Sequence, residues 1–161
     1  MAITEVLGSV INGNVLGGIG AALAIGIAGY GSAKGLGISG NAASGVTGED
    51  EKNFSSALIL QVLPQTQVVY GFIIAVLIIL SIMGGDMDYE QGGVSLAAGI
   101  AVGVTGLSGI AQGNAAAAAI GAATKNPKVR GKVLIFVVMP EIAALFGFVI
   151  AIMLLISGGV L

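Results

Sequence analysis

The chain has 161 residues, 56% hydrophobic and only 9% charged, with a net charge of −2 and a mean hydropathy of +1.04. Soluble domains carry about 25% charged residues, so this is the composition of a membrane protein. The absence of cysteine and histidine excludes disulfides, zinc centres, thiol nucleophiles and imidazole acid–base chemistry, and no basic stripe exists to bind nucleic acid.

In chain order, Met1–Asn14 carries Glu5 and no basic residue. It lacks the charged start of a cleavable signal peptide, so the first apolar segment is expected to be a retained transmembrane helix. Hydropathy then predicts four spans, near Asn14–Ser44, Ser56–Met83, Gly92–Thr124 and Val133–Ser157. Each exceeds the ~20 residues that a bilayer requires, which predicts tilt or ends projecting into water. The first loop holds Glu49, Asp50, Glu51 and Lys52, the middle loop Asp86, Asp88 and Glu90, and the last loop Lys125, Lys128, Arg130 and Lys132. Lysine and arginine mark the cytoplasmic side. Loops at about 45–55 and 125–132 are therefore expected in the cytoplasm, with both termini and the acidic middle loop outside.

The two halves repeat each other. Leu63-Pro64-Gln65-Thr66-Gln67 through Tyr70-Gly71-Phe72 matches Met139-Pro140-Glu141-Ile142-Ala143 through Phe146-Gly147-Phe148, at an offset of 76 (140 − 64). Upstream, Ala33-Lys34-Gly35 matches Ala111-Gln112-Gly113 at an offset of 78 (112 − 34). The chain therefore reads as an all-α membrane protein of two tandem helical hairpins, 1–86 and 87–161, in parallel orientation. Within each hairpin the helices differ in kind. Spans one and three are studded with glycine (Gly20, Gly26, Gly31 and Gly35; Gly92, Gly99, Gly106 and Gly113), whereas Gly71 and Gly147 are the only interior glycines of the bulky spans two and four. Small residues let helix backbones approach closely in lipid. Glycine spread around both helices favours the inner circle of a homo-oligomeric ring over a compact four-helix monomer.

Two charges remain inside the spans, Lys34 and Glu141. At ~1.5 Å per residue Glu141 lies roughly 13 Å beyond the basic end at Lys132, within the ~30 Å hydrocarbon layer. A carboxylate at that depth is costly and marks a functional site. Gln67 and Gln112 lie at comparable depth, and Leu63, Thr66, Gln67 and Tyr70 share one helical face. Pro64 and Pro140 each remove a backbone donor and loosen the helix around them, which frees carbonyl oxygens. Hard cations take such oxygen ligands, and a monovalent ion on one carboxylate leaves the site neutral. A proton needs only the carboxylate. The set thus points to sodium, the competing reading being interhelical hydrogen bonding alone.

These motifs resemble the proteolipid, or rotor-ring, subunit of V-type rotary ATPases, in particular the bacterial sodium-pumping kind. The resemblance spans nearly the whole chain: Gly-Ser-Ala-Lys-Gly in span one, Leu-Pro-x-Thr-Gln with Tyr-Gly-Phe in span two, Gly-Ile-Ala-Gln-Gly in span three and one glutamate in span four. It implies that Glu141 carries the ion and that Thr66, Gln67, Gln112 and the Leu63 carbonyl ligate Na+. Tyr70 would hold the site closed by bonding Glu141. It also implies a non-catalytic subunit that binds no nucleotide and sits in a homo-oligomeric ring in the bacterial cell membrane. A stator subunit would supply an arginine, and central-stalk subunits would sit on the cytoplasmic loops. Gln65 stands where Glu141 stands in the repeat, so each subunit is expected to carry one ion.

Other signals carry less. Gly35, Gly37 and Gly40 fit G-x-G-x-x-G but lie in an apolar helix without the strand that a dinucleotide site needs. Gly131-Lys132 lacks the rest of a phosphate-binding loop. Lys34 is expected to face the ring interior or to snorkel to the cytoplasm, a counter-ion role for Glu141 being the rival reading. The functional alternatives are the same rotor carrying H+, and a self-contained pore or secondary transporter.

Overall fold

The structure, a computed structural model, describes residues 11–161; the reading of Met1–Asn14 as a retained helix start lies almost wholly outside them. Seven helices follow in order: α1 (Gly13–Glu49), α2 (Phe54–Gln61), α3 (Thr66–Gly84), α4 (Tyr89–Gly106), α5 (Ser108–Lys125), α6 (Arg130–Val138) and α7 (Glu141–Ser157). With short 3-10 turns they form four columns, Gly13–Glu49, Glu51–Gly84, Tyr89–Lys125 and Pro127–Ser157, each long and apolar enough to cross a membrane. No strand occurs among the described residues. At 1.5 Å per residue α1 is about 55 Å long, so it must project beyond the hydrocarbon.

The helices overrun the expected spans because backbone hydrogen bonding does not stop where hydropathy falls. Hydropathy ends span one near Ser44, whereas the helix continues to Glu49, where extended Asp50 ends it and accepts the Lys52 N–H (3.0 Å). Hydropathy starts span four at Val133, but its column begins at Pro127, after Asn126 has accepted the Lys128 N–H (3.2 Å). The middle turn is also built by side chains. Asp88 and Gln91 form a reciprocal capping box at the start of α4, which satisfies helix-end donors. Asn14 donates to Asp86 and accepts from the Met87 N–H, both at 2.8 Å.

Proline breaks the second and fourth columns as its chemistry requires. Leu63–Gln65 is a 3-10 turn between α2 and α3, and Met139-Pro140 separates α6 from α7. A third break, at Leu107 between α4 and α5, has no proline. There the Leu107 N–H bonds the Val104 and Thr105 carbonyls, within a run (Gly103, Gly106, Gly109) where each glycine weakens the helix by about 1 kcal/mol.

The glycine-rich columns pack directly on each other. A Cβ on Gly99 would sit 2.6 Å from the Gly20 carbonyl carbon, and one on Gly106 would sit 2.6 Å from the Ala28 Cβ. Columns two and four lie outside this seam and expose large apolar side chains such as Leu80, Met83, Phe136, Phe146 and Met153. Two apolar clusters fill the bundle: Ala24, Ile74, Ile78, Val102 and Leu155 in one, and Ala57, Leu60, Ala119, Ile120 and Val137 in the other. Overpacking costs ~1–3 kcal/mol. Gly99→Ala should therefore lower the thermal midpoint in detergent, followed by circular dichroism. Gly26→Ala, whose new methyl meets nothing within 4 Å, should leave it unchanged or raise it slightly.

Candidate cation site

Both proline breaks start a fresh helix at a residue of the candidate site. Thr66 and Gln67 open α3, and Glu141 opens α7. The backbone donors at a helix start favour negative charge, so the break at Pro140 gives the carboxylate a better electrostatic setting than a helix interior would. Pro64 is buried, and Gly35 makes room for it, since a Cβ there would lie 2.7 Å from the Pro64 Cβ. The 3-10 turn diverts the Gln65 N–H to the Val62 carbonyl (3.2 Å) and leaves the Gln61 carbonyl without its helical donor. The Ser39 hydroxyl lies 3.1 Å from that carbonyl. The Ser32 hydroxyl accepts the Val68 N–H at 3.0 Å, tying α1 to the first turn of α3.

Around these supports, three columns converge on Glu141. The Tyr70 hydroxyl donates to Glu141 Oε1 at 2.9 Å, and Gln112 Nε2 lies 3.4 Å from Oε2. Gln67 Nε2 donates to Gln112 Oε1 at 2.6 Å. Thr66 Oγ1 stands 3.2 Å from the Leu63 carbonyl and 3.4 Å from Gln67 Oε1. Gln67 and Gln112 are fully buried, whereas Glu141 is half-buried at the edge of an apolar groove of about 410 Å3 lined by Ile135, Val138, Ile142 and Leu145. Tyr70 stacks on Phe148, with ring centroids 5.2 Å apart. The structure thus brings Leu63, Thr66, Gln67, Tyr70, Gln112 and Glu141 into one continuous network beside Pro64 and Pro140.

Lys34 stands apart from it. Its ammonium lies 5.8 Å from the Tyr30 ring centroid on an exposed part of α1, and the side-chain partners of Glu141 are Tyr70 and Gln112. Gln65, the repeat counterpart of Glu141, is exposed. Sequence reasoning misses Ser32 and Ser39, although Ser32 is the one hydroxyl in the Gly-Ser-Ala-Lys-Gly stretch and both lie buried in a glycine-rich helix. Leaving one buried amide without its partner costs ~1–3 kcal/mol, whereas replacing both partners by apolar groups is close to neutral. In sodium-free detergent, Gln67→Leu alone should therefore destabilise the protein by about that amount. Adding Gln112→Leu should recover part of the loss, as read from thermal midpoints.

Comparison with known proteins agrees with this architecture. A family model for the C subunit of ATP synthase matches residues 19–78 and again residues 96–154. A protein named V-type sodium ATPase subunit K from Enterococcus hirae is 47% identical over 130 residues, covering 80% of this chain and 83% of that relative. A protein named A-type ATP synthase subunit K from Methanocaldococcus jannaschii is 44% identical over 143 residues, covering 89% of this chain. The chain spans 63% of the length of that archaeal relative. With four membrane-spanning columns and two successive matches to one model, the chain is an integral membrane protein that belongs to the family of the ATP synthase C subunit.

Proposed function

We propose that this chain is the ion-carrying, non-catalytic rotor subunit of a V-type rotary ATPase in a bacterial cell membrane, holding one Na+ at Glu141. The observation that carries the reading is the network that joins one carboxylate to the side chains of Gln112, Gln67 and Thr66 and the Leu63 carbonyl at a proline-loosened point of the bundle. Oxygens 3.2–3.4 Å apart, as around Thr66, suit joint coordination at the ~2.3–2.6 Å bond lengths of the larger hard cations. The Gln112 amide bridges Gln67 and Glu141; on ion binding it would turn its oxygen towards the ion. The sodium ATPase subunit K of Enterococcus hirae, 47% identical to this chain, supports the choice of ion.

In this reading Na+ neutralises Glu141, which lets the loaded site pass through lipid around a homo-oligomeric ring whose inner circle is formed by α1 and α4–α5. The hairpins 1–86 and 87–161 are two editions of one unit, of which only the second keeps its carboxylate. An arginine of the stator subunit would displace the ion. Central-stalk subunits would sit on the loops at 45–55 and 125–132, facing the cytoplasm, with ATP hydrolysed elsewhere in the complex. Tyr70 acts as the latch, since its hydroxyl ties Glu141 to α3.

A carboxyl-reactive carbodiimide provides the test. Labelling of Glu141 in membranes should be blocked by millimolar sodium. Labelling that ignores sodium and responds only to pH would overturn sodium in favour of the proton. A hydrogen bond to a charged group is worth ~1.5–3 kcal/mol. Tyr70→Phe should accordingly raise the sodium concentration needed for half-protection by about tenfold or more, leaving the label on Glu141.

A further inference from the structure

One buried hydroxyl takes no part in the network around Glu141. Ser108 Oγ is the one buried side-chain oxygen or nitrogen without a hydrogen-bond partner among the described residues. Hydroxyls elsewhere in these helices bond the carbonyl four residues back: Ser39 to Gly35 (3.0 Å), Thr105 to Ala101 (2.8 Å) and Thr124 to Ile120 (2.9 Å). For Ser108 that carbonyl belongs to Val104, which accepts the Leu107 N–H (3.2 Å) at the break between α4 and α5. Burying a hydroxyl without a partner destabilises a fold; a partner gained in another state of the protein would offset that cost.

Its position relates it to the cation site. Thr105, Ser108 and Gln112 follow i, i+3, i+7 and lie on one side of the third column. The two ends of that stripe meet the fourth column: Thr105 fills the space at Gly147, and Gln112 Nε2 lies 3.4 Å from Glu141 Oε2. Ser108 and Gln112, four residues apart in α5, have the spacing that sets Cβ atoms about 5–6 Å apart. Helical side chains lean towards the N-terminus of their helix, which carries Gln112 over the turn that holds Ser108. Gln112 is fully buried, and its oxygen accepts from Gln67 Nε2. Of its two amide hydrogens only one has an acceptor among the described residues, Glu141.

We infer that Ser108 is a positioning residue of the cation site: its hydroxyl accepts an N–H of Gln112 when the Gln112 oxygen is turned to the ion. This rests on the sodium reading above and adds the group that holds the turned amide. Turning takes the Gln112 N–H groups away from Glu141. The oxygens of Leu63, Thr66, Gln67 and Glu141 then face the cation, which repels an N–H donor, so none of them serves as the new acceptor. A hydroxyl rotates to suit its partner and has two lone pairs. Ser108 Oγ, buried on the same side of the column and engaged with nothing else among the described residues, is the acceptor that remains. While Gln112 donates to Glu141 the hydroxyl is idle, and once the amide turns it is engaged. Ser108 thus favours one of the two orientations of a single amide, the one that binds the ion.

Carbodiimide labelling of Glu141 in membranes, titrated with sodium, tests this with two variants. Ser108→Ala removes the hydroxyl, and Ser108→Cys keeps the side chain's shape while supplying only a weak acceptor. Both should raise the sodium concentration for half-protection by about threefold to tenfold, the worth of one neutral hydrogen bond. The pH dependence of labelling without sodium should stay as in the unaltered protein, because Glu141 and Tyr70 are untouched. In sodium-free detergent the thermal midpoint of Ser108→Ala should stay the same or rise, since an unpartnered hydroxyl has been removed, whereas the rise on adding sodium should shrink. Half-protection at the unaltered sodium concentration in either variant would overturn the role of Ser108 and leave the sodium site standing. A lower sodium-free midpoint with an undiminished response to sodium would do the same. Labelling of the unaltered protein that ignores sodium would overturn both.

Discussion

The cost of one carboxylate in hydrocarbon governs this molecule. A charged side chain at the bilayer centre costs on the order of 3 kcal/mol or more, and Glu141 meets that cost in three ways. It lies in the first turn of a helix, where negative charge is favoured; it accepts from Tyr70; and it adjoins the buried amide pair Gln112–Gln67. Each depends on another part of the fold. The helix start depends on Pro140, the tyrosine on α3 resuming after Pro64, and the amide pair on the close approach of the two hairpins.

That approach is the work of the glycine seam. Helices in lipid lack a hydrophobic drive towards each other and associate by contact. The contacts between α1 and α4–α5 run backbone against backbone at Gly20–Gly99 and Gly31–Gly109. Gly71 brings its outer column against the Ala24 backbone, and Gly147 makes room for the Thr105 side chain. A bulky residue at any of these points would separate the columns that jointly hold Glu141. The seam and the site are therefore one construction: the first sets the distance at which the second closes.

Much of this is legible in the sequence because the signals are strong and local. Long apolar runs between charge clusters announce four columns, and the Pro64/Pro140 pair announces both the repeat and the breaks. Gln67 and Gln112 stand out because buried amides in lipid are expensive. What is not legible depends on tertiary contact. Span one reaches Glu49 because Asp50 ends it, which hydropathy does not register. The break at Leu107 has no proline to announce it, and glycines as frequent as those around it leave α1 continuous for 37 residues. Ser32 and Ser39 look like ordinary small residues until the loosened turn offers them a free N–H and a carbonyl. Lys34 and Tyr30 are four residues apart on one face, a spacing readable in advance, yet only the structure sets the ammonium over the ring and away from Glu141.

The repeat divides the network between its halves: the first contributes Leu63, Thr66, Gln67 and Tyr70, the second Gln112 and Glu141, and Gln65 stands exposed at the position that matches Glu141. The central claim is that one chain holds one sodium ion through one carboxylate. Equilibrium binding of radioactive sodium to the purified multimer tests it most directly. The account predicts one ion per chain, abolished by Glu141→Gln and unchanged by Gln65→Ala. Two ions per chain, or undiminished binding by Glu141→Gln, would contradict it.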